Sequence, residues 1–147
     1  MGMFSGLDVS ASGLTAQRFR MDVASSNIAN ADTTRERMVN GQWQPYARKV
    51  VNLKTINSSF DSYFNQALGS SAGGAEVASV TEDPSPFPMK YDPTDPDADA
   101  NGYVKESNVD PLKEMIDMMD ANRSYEAGVT AMNADKSMLT SALSIGK

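Results

Sequence analysis

Asp97, Asp99, Asn101 and Gly102 have the spacing of the first, third, fifth and sixth positions of a calcium loop, with Val104 as the apolar eighth. The loop then fails. Its last position needs a bidentate carboxylate and has Asn108, and Lys105 puts a positive charge at position nine. Pro93 and Pro96 interrupt the helix that should lead into it. A calcium-binding regulatory module is therefore the rival reading, and the favoured one is an Asn-Gly turn in a solvated acidic loop. The other close carboxylates, Glu82–Asp83 and Asp117–Asp120, fall on a predicted loop or on solvent-facing helix surface. The chain has no His and no Cys, which removes the commonest general base, thiolate chemistry and the usual transition-metal ligands. No Gly-rich phosphate loop follows a strand. No catalytic, cofactor-binding or metal residue is assigned, and the chain reads as a non-enzyme.

The chemistry that remains is that of side-chain amides. The stretch SSNIANADTT, residues 25–34, ends a helical pattern on Asn27 and Asn30. Asn caps helix ends well, which accounts for Asn30. One turn earlier an amide is mildly unfavourable, so Asn27 needs another reason. An amide both donates and accepts, and it can satisfy backbone groups of an adjacent helix or subunit.

These residues need elements to hold them. Leu7, Leu14, Met21 and Ile28 recur every seventh position and predict one narrow stripe along an N-terminal helix over residues 1–30. Near the other end, Asp110-Pro111 is a cap followed by a first-turn proline. Met118, Tyr125, Met132 and Leu139 then repeat the same spacing, with Met115, Val129 and Leu143 expected on the adjoining seam. A helix over this segment would run about 50 Å at 1.5 Å per residue, longer than a compact domain of this size covers. Narrow stripes with Gly6, Gly13 and Gly128 inside them make helices that are marginal alone. The expected fold is mainly α: an antiparallel coiled coil of the terminal helices (1–30 with 109–147) and a central excursion over 31–108.

In that excursion, Tyr46–Ile56 and Ala75–Asp83 have strand character, while Asn40-Gly41 and Asn101-Gly102 signal turns. Phe60, Phe64 and Leu68 suggest a short helix before a Gly/Ser linker, and residues 83–99 are too rich in Pro and Asp for helix. Ten methionines, mostly on the helical stripes, read as gap-filling core or as adaptable packing surface. At 147 residues the chain is one domain at most, and a net charge of -6 argues against nucleic-acid partners. The N-terminal stretch MGMFSGLDVSASG lacks a basic region and a long apolar run, so no ordinary export signal is expected.

GLTAQRFRMDVASSNIANADTT resembles the N-terminal signature of bacterial flagellar axial proteins, the rod, hook and hook-associated subunits. EMIDMMDANRSYEAGVTAMNADKSM is similar to their C-terminal helix. QPYARKVV, VTEDPSPF and YDPTDPDADANGYVKESNVDP narrow the likeness to rod proteins of the basal body, in the proximal rod. The likeness departs near residues 57–75, an apparent insert. The resemblance implies a structural subunit in the periplasmic rod of the basal body, polymerised helically with copies of itself into the hollow shaft that transmits torque and passes exported subunits. It implies export through the flagellar type III apparatus, and as neighbours the other rod proteins and the adapter joining rod to ring. FNQAL, residues 64–68, resembles an export-gate motif of such substrates, and FDSYF at 60–64 fits the same pattern. The assembly-interface residues expected on this basis are Leu7, Leu14, Met21, Asn27, Ile28, Asn30, Met118, Tyr125, Val129, Met132, Leu139 and Leu143. A cytosolic helical adaptor is the bland alternative.

Overall fold

The computed structural model describes residues 5–39, 41–56 and 73–145. It opens with helix α1 (Ser5–Ala29) and closes with helix α2 (Pro111–Ile145). Between them run β1 (Arg37–Val39), β2 (Gln42–Gln44), β3 (Lys49–Thr55), β4 (Ala75–Glu82), β5 (Met89–Tyr91) and β6 (Tyr103–Lys105). The strands form three separate antiparallel pairs, β1–β2, β3–β4 and β5–β6.

The two helices lie antiparallel. Asn27 of α1 meets Glu114 of α2, Leu14 lies against Gly128, and Gly6 lies beside Asp135, so rising numbers on one helix meet falling numbers on the other. The start of α2 follows from local chemistry. The Asp110 carboxylate accepts from the Leu112 and Lys113 N–H groups at 3.0 and 3.4 Å, which occupies two donors that have no partner inside the helix. Pro111, without an N–H of its own, takes the first helical position.

The spacing between the helices is set by small residues. Ala121 is fully buried, and a Cβ on Gly128 would stand 2.9 Å from Leu14 Cδ2. The line of α2 that faces α1 is thus Glu114, Ala121, Gly128 and Asp135, together with the partly buried Met118, Tyr125, Met132 and Leu139. This corrects the expected position of Met115, Val129 and Leu143. They lie on the exposed surface, because a close helix approach selects the smallest residues rather than the most apolar.

α1 also carries the long β3–β4 ladder. The Ser12 hydroxyl accepts the Ala75 N–H at 3.1 Å and ties the first residue of β4 to the helix. β3 begins at Lys49, three residues after the start expected at Tyr46, because the preceding backbone has other partners. The Tyr46 N–H donates to the Thr33 carbonyl at 3.0 Å, and the Arg48 N–H to Asn108 Oδ1 at 2.7 Å. The two short ladders, β1–β2 and β5–β6, were signalled only by their turns, where Gly41 and Gly102 take φ of 80° and 78°. Strands of three residues are too short to show an alternating pattern. The Phe60–Phe64–Leu68 stripe and both export-gate candidates lie outside the described residues.

Candidate functional site

Among the described residues the most enclosed place is polar. Glu114, Asn27 and Pro45 are the largest fully buried side chains, and the apolar core around them is made mostly of alanines. Asn27 is one turn from the end of α1, on the face pressed against both α2 and the entry to β3. Its Nδ2 donates to the Lys49 carbonyl at 2.9 Å and to Glu114 Oε2 at 2.8 Å. Its Oδ1 accepts from the Tyr46 hydroxyl and the Lys49 N–H, both at 3.0 Å. All four hydrogen-bonding capacities of the amide are used. No apolar residue could join a strand, a helix and a phenol at one point in this way.

Glu114 is shared between Asn27 and Arg48, whose Nε donates to Glu114 Oε1 at 2.5 Å. The guanidinium also meets Asp117 at 3.2 Å and Asp83 at 3.5 Å, so one cation faces three carboxylates from α2 and the end of β4. Burial works against the charged form of Arg48. The hydrogen bond and charge of Glu114, with Asp83 and Asp117 behind them, outweigh it and raise its pKa above the ordinary arginine value. Asp83 is held below the usual carboxylate range, first by the Ser85 hydroxyl and N–H and then by Arg48. Asn108 completes the frame, accepting from the Arg48 N–H and donating to the carbonyls of Asp83 and Ser85 at 3.3 and 3.1 Å. A cavity of about 90 Å³ beside the node is lined by Arg20, Arg48, Glu114 and Asp117. Among the described residues, no buried side-chain polar atom lacks a partner.

Among the described residues, no group of three or more carboxylates is arranged to hold a metal ion. What the arrangement does chemically is lock five separated parts of the chain together. Of the two partners expected for the Asn27 amide, an adjacent helix or an adjacent subunit, the fold supplies the first: the amide is fully occupied inside the chain by Glu114 of α2, the Lys49 backbone and the Tyr46 hydroxyl. Asn30 caps α1 through its side chain, Nδ2 donating to the Ser26 carbonyl at 2.8 Å. Leu7, Leu14, Met21 and Ile28 are partly buried along α1, as Met118, Tyr125, Met132 and Leu139 are along α2. Val129 and Leu143 are 37% and 62% exposed, and are not in the seam between the two helices.

Sequence reasoning missed Arg48, Glu114 and Tyr46. A signal for Glu114 existed: it stands seven residues before Ala121 and fourteen before Gly128, a charge in phase with the small line of α2. The acidic loop behaves as an interlocked turn. Arg35 Nε donates to both oxygens of Asp97, and Asp99 Oδ1 accepts from the N–H groups of Asn101 and Tyr103. The Asn108 amide, at the place of the missing carboxylate, is part of the node's frame instead.

Residues 7–35 match a family model described as flagella basal body rod protein, and residues 100–145 match one described as flagellar basal body rod FlgEFG protein C-terminal. The chain is 58% identical over 150 residues to the flagellar basal-body rod protein FlgC of Bacillus subtilis (strain 168), covering 100% of both chains. It is 41% identical to the protein of that name from Borreliella burgdorferi, covering 99% of this chain and 98% of that one. The likeness to its namesake in Escherichia coli O6:H1 is 40%, with 100% of both covered.

Proposed function

Because the chain belongs to the FlgC family of flagellar basal-body rod proteins, and is thus a structural subunit of the flagellar rod and no enzyme, we propose that it polymerises helically into the hollow proximal rod and carries torque there. In this reading the terminal helices (1–30 with 109–147) pack as a coiled coil in the inner wall around the channel, and residues 31–108 form the outer layer. Leu7, Leu14, Met21 and Ile28 with Met118, Tyr125, Met132 and Leu139 form the seam within each subunit. Val129 and Leu143 face neighbours. Its partners are further copies, the other rod proteins and the adapter joining rod to ring, and it reaches them through the flagellar type III export apparatus.

The observation that carries the assembly reading is the unfinished surface of α2. Leu112, Met115, Ile116, Met119, Met138 and Leu143 are between 46% and 66% exposed on a single helix. Four of them, Leu112, Met115, Ile116 and Met119, fall at i, i+3, i+4 and i+7 on one face of the helix, and an exposed apolar stripe of that kind marks an interaction surface. Heterologous contacts that do not close into a ring generate open helical assemblies. The test is to purify basal bodies from cells carrying a tagged copy and to locate the tag by cryo-electron microscopy. Density in the proximal rod is expected. A chain that is exported but absent from purified basal bodies would overturn the reading.

A further inference from the structure

We propose that the β1–β2 hairpin is a latched arm. Two arginine forks, Arg35 on Asp97 and Arg37 on Glu82, set its direction, and the arm pivots about a base at Thr33 and Tyr46 when they part. Only that base is built into the fold. The Tyr46 N–H donates to the Thr33 carbonyl at 3.0 Å, and Pro45, Tyr46 and Ala47 beside it are buried. Above the base burial stops. Met38 and Trp43 stand opposite each other in the ladder and are 58% and 48% exposed. Among the described residues, neither strand packs broadly against a helix or another ladder. A two-stranded hairpin is marginal by itself, so its direction has to come from contacts outside it.

Those contacts are ionic. Arg35 lies just before β1, and its Nε donates to both oxygens of Asp97 at 2.8 and 2.6 Å, in the acidic turn between β5 and β6. The Thr34 hydroxyl donates to the same carboxylate at 3.5 Å. Arg37, the first residue of β1, donates through Nη1 and Nη2 to the two oxygens of Glu82 at 2.8 and 2.7 Å, at the end of β4. Lys49 of β3 stands 3.6 Å from Glu36 as a third, looser pair. The two forks each engage both oxygens of a carboxylate, so each fixes an angle as well as a distance. They grip two different elements, and together they strap the arm between the acidic turn and the β3–β4 ladder.

The straps are built to release. Both arginine side chains are 47% exposed, and ion pairs open to water are weak and screened by salt. The buried node is held differently. Glu82 and Asp83 are neighbours in the chain, yet Glu82 turns to the arm while Asp83 turns to Arg48, whose side chain is 14% exposed. The arm can let go of Glu82 while Arg48 keeps its three carboxylates. A pinned base, an uncovered tip and exposed charge pairs between them are the parts of a hinge.

The chain has no cysteine, so spin labels can be placed at Gln42→Cys on the arm and Asn122→Cys on the exposed side of α2. Double electron–electron resonance on the full purified chain should give one narrow distance distribution. Adding Arg35→Gln and Arg37→Gln should broaden it about twofold, as the tip takes on the motion of a loop, while the helical circular dichroism signal holds. Arg35→Asp alone should broaden it as well, and Asp97→Arg in the same chain should narrow it again by rebuilding the pair in reverse. With both forks intact, raising salt from about 0.1 M to about 1 M cuts the screening length from about 10 Å to about 3 Å and should also broaden the distribution. A broad distribution before any fork is altered, no change on losing both arginines, no recovery in the reversed pair, or no response to salt would each overturn the latch. Loss of the helical signal on removing both arginines would overturn it too, since the forks would then hold the fold and not the direction of the arm.

Discussion

At the Asn27 end of the helix pair no buried side-chain polar atom of the described residues lacks a partner, whereas the exposed face of α2 presents Met115, Ile116, Met119, Val129 and Leu143 to solvent. The first region is satisfied within the chain; the second leaves large apolar side chains in water. The difference separates two jobs that one pair of helices must do. A subunit that joins a wall needs a fixed internal geometry, so that its outward faces are presented at constant angles. It also needs those faces to remain unsatisfied until assembly. Buried hydrogen bonds with one correct partner set serve the first need, since a misplaced helix would leave a charge or an N–H stranded. Nonspecific apolar surface serves the second.

The strongest way to break this comparison is to strand a charge in the node. Arg48→Ala leaves Glu114 buried without its cation, and loss of one member of a buried pair costs about 3–5 kcal/mol. Denaturant unfolding of the purified chain, followed by circular dichroism, should show a loss of that size. Val129→Asp in the exposed face should stay within about 0.5 kcal/mol of the unaltered chain, since surface changes seldom exceed that. Its defect should appear instead as reduced incorporation into basal bodies. Equal destabilisation by both changes would mean that the two regions do not differ as argued.

Next in size is Asn27→Ala, which removes the partners of the Tyr46 hydroxyl and of both backbone groups of Lys49. Buried groups left unsatisfied make this cost about 2–3 kcal/mol. Asn30→Gly loses the bond to the Ser26 carbonyl and a long one from the Thr33 hydroxyl, at a part-buried helix end that glycine itself can terminate, and should cost about 1 kcal/mol. Incorporation relative to export should follow the same order. Assembly of Asn27→Ala at the unaltered level, with failure of Asn30→Gly, would contradict the node's role.

The helices, and the capacity of Asn27, were legible because they rest on local rules. The cap at Asp110-Pro111 is a matter of adjacent residues, and Leu7–Leu14–Met21–Ile28 is a matter of period. That an amide one turn before a helix end must bridge something was also readable. What it bridges was not, because Tyr46, Lys49 and Glu114 are 19, 22 and 87 residues away. Met118, Tyr125, Met132 and Leu139 line the side of α2 expected, but Met115, Val129 and Leu143 were misplaced on the adjoining seam for a different reason. Apolar character marks both a seam and an outward docking face, and only the small residues Ala121 and Gly128 show which side lies against α1.

Acid should separate the regions next. Asp83, Asp92 and Asp97 are all held below the usual carboxylate range, and all lie in the central part of the chain. The leading causes are the Ser85 hydroxyl for Asp83, the Thr94 hydroxyl for Asp92 and the Arg35 hydrogen bond for Asp97. A carboxylate with a lowered folded pKa binds protons more weakly folded than unfolded. Its contribution is complete above the ordinary aspartate value of about 4 and is lost as pH falls through the lowered one. Titrating downward through that window, the fluorescence of Trp43 should change before the far-ultraviolet helical signal does. Simultaneous loss of the two signals would show the central part and the helices to be one cooperative unit.

The smallest effects sharpen the comparison along the helix pair itself, at two glycines with different surroundings. A Cβ on Gly13 would meet nothing within 4 Å, so Gly13→Ala should deliver the intrinsic helix gain of about 1 kcal/mol. A Cβ on Gly128 would come within 2.9 Å of Leu14 Cδ2 and 3.5 Å of its Cγ. The Leu14 methyl sits at the end of a flexible side chain and can turn aside, but only by leaving the place where it packs. The same gain of about 1 kcal/mol is then offset by an overpacking cost of similar size, about 1–3 kcal/mol. Gly128→Ala should therefore be neutral to mildly destabilising, while Gly13→Ala raises the unfolding midpoint. The double substitution Gly128→Ala with Leu14→Val, which removes the clashing reach, should recover part of the loss. If Gly128→Ala stabilises the chain as much as Gly13→Ala, the helices are not held at the close approach that the small line of α2 implies.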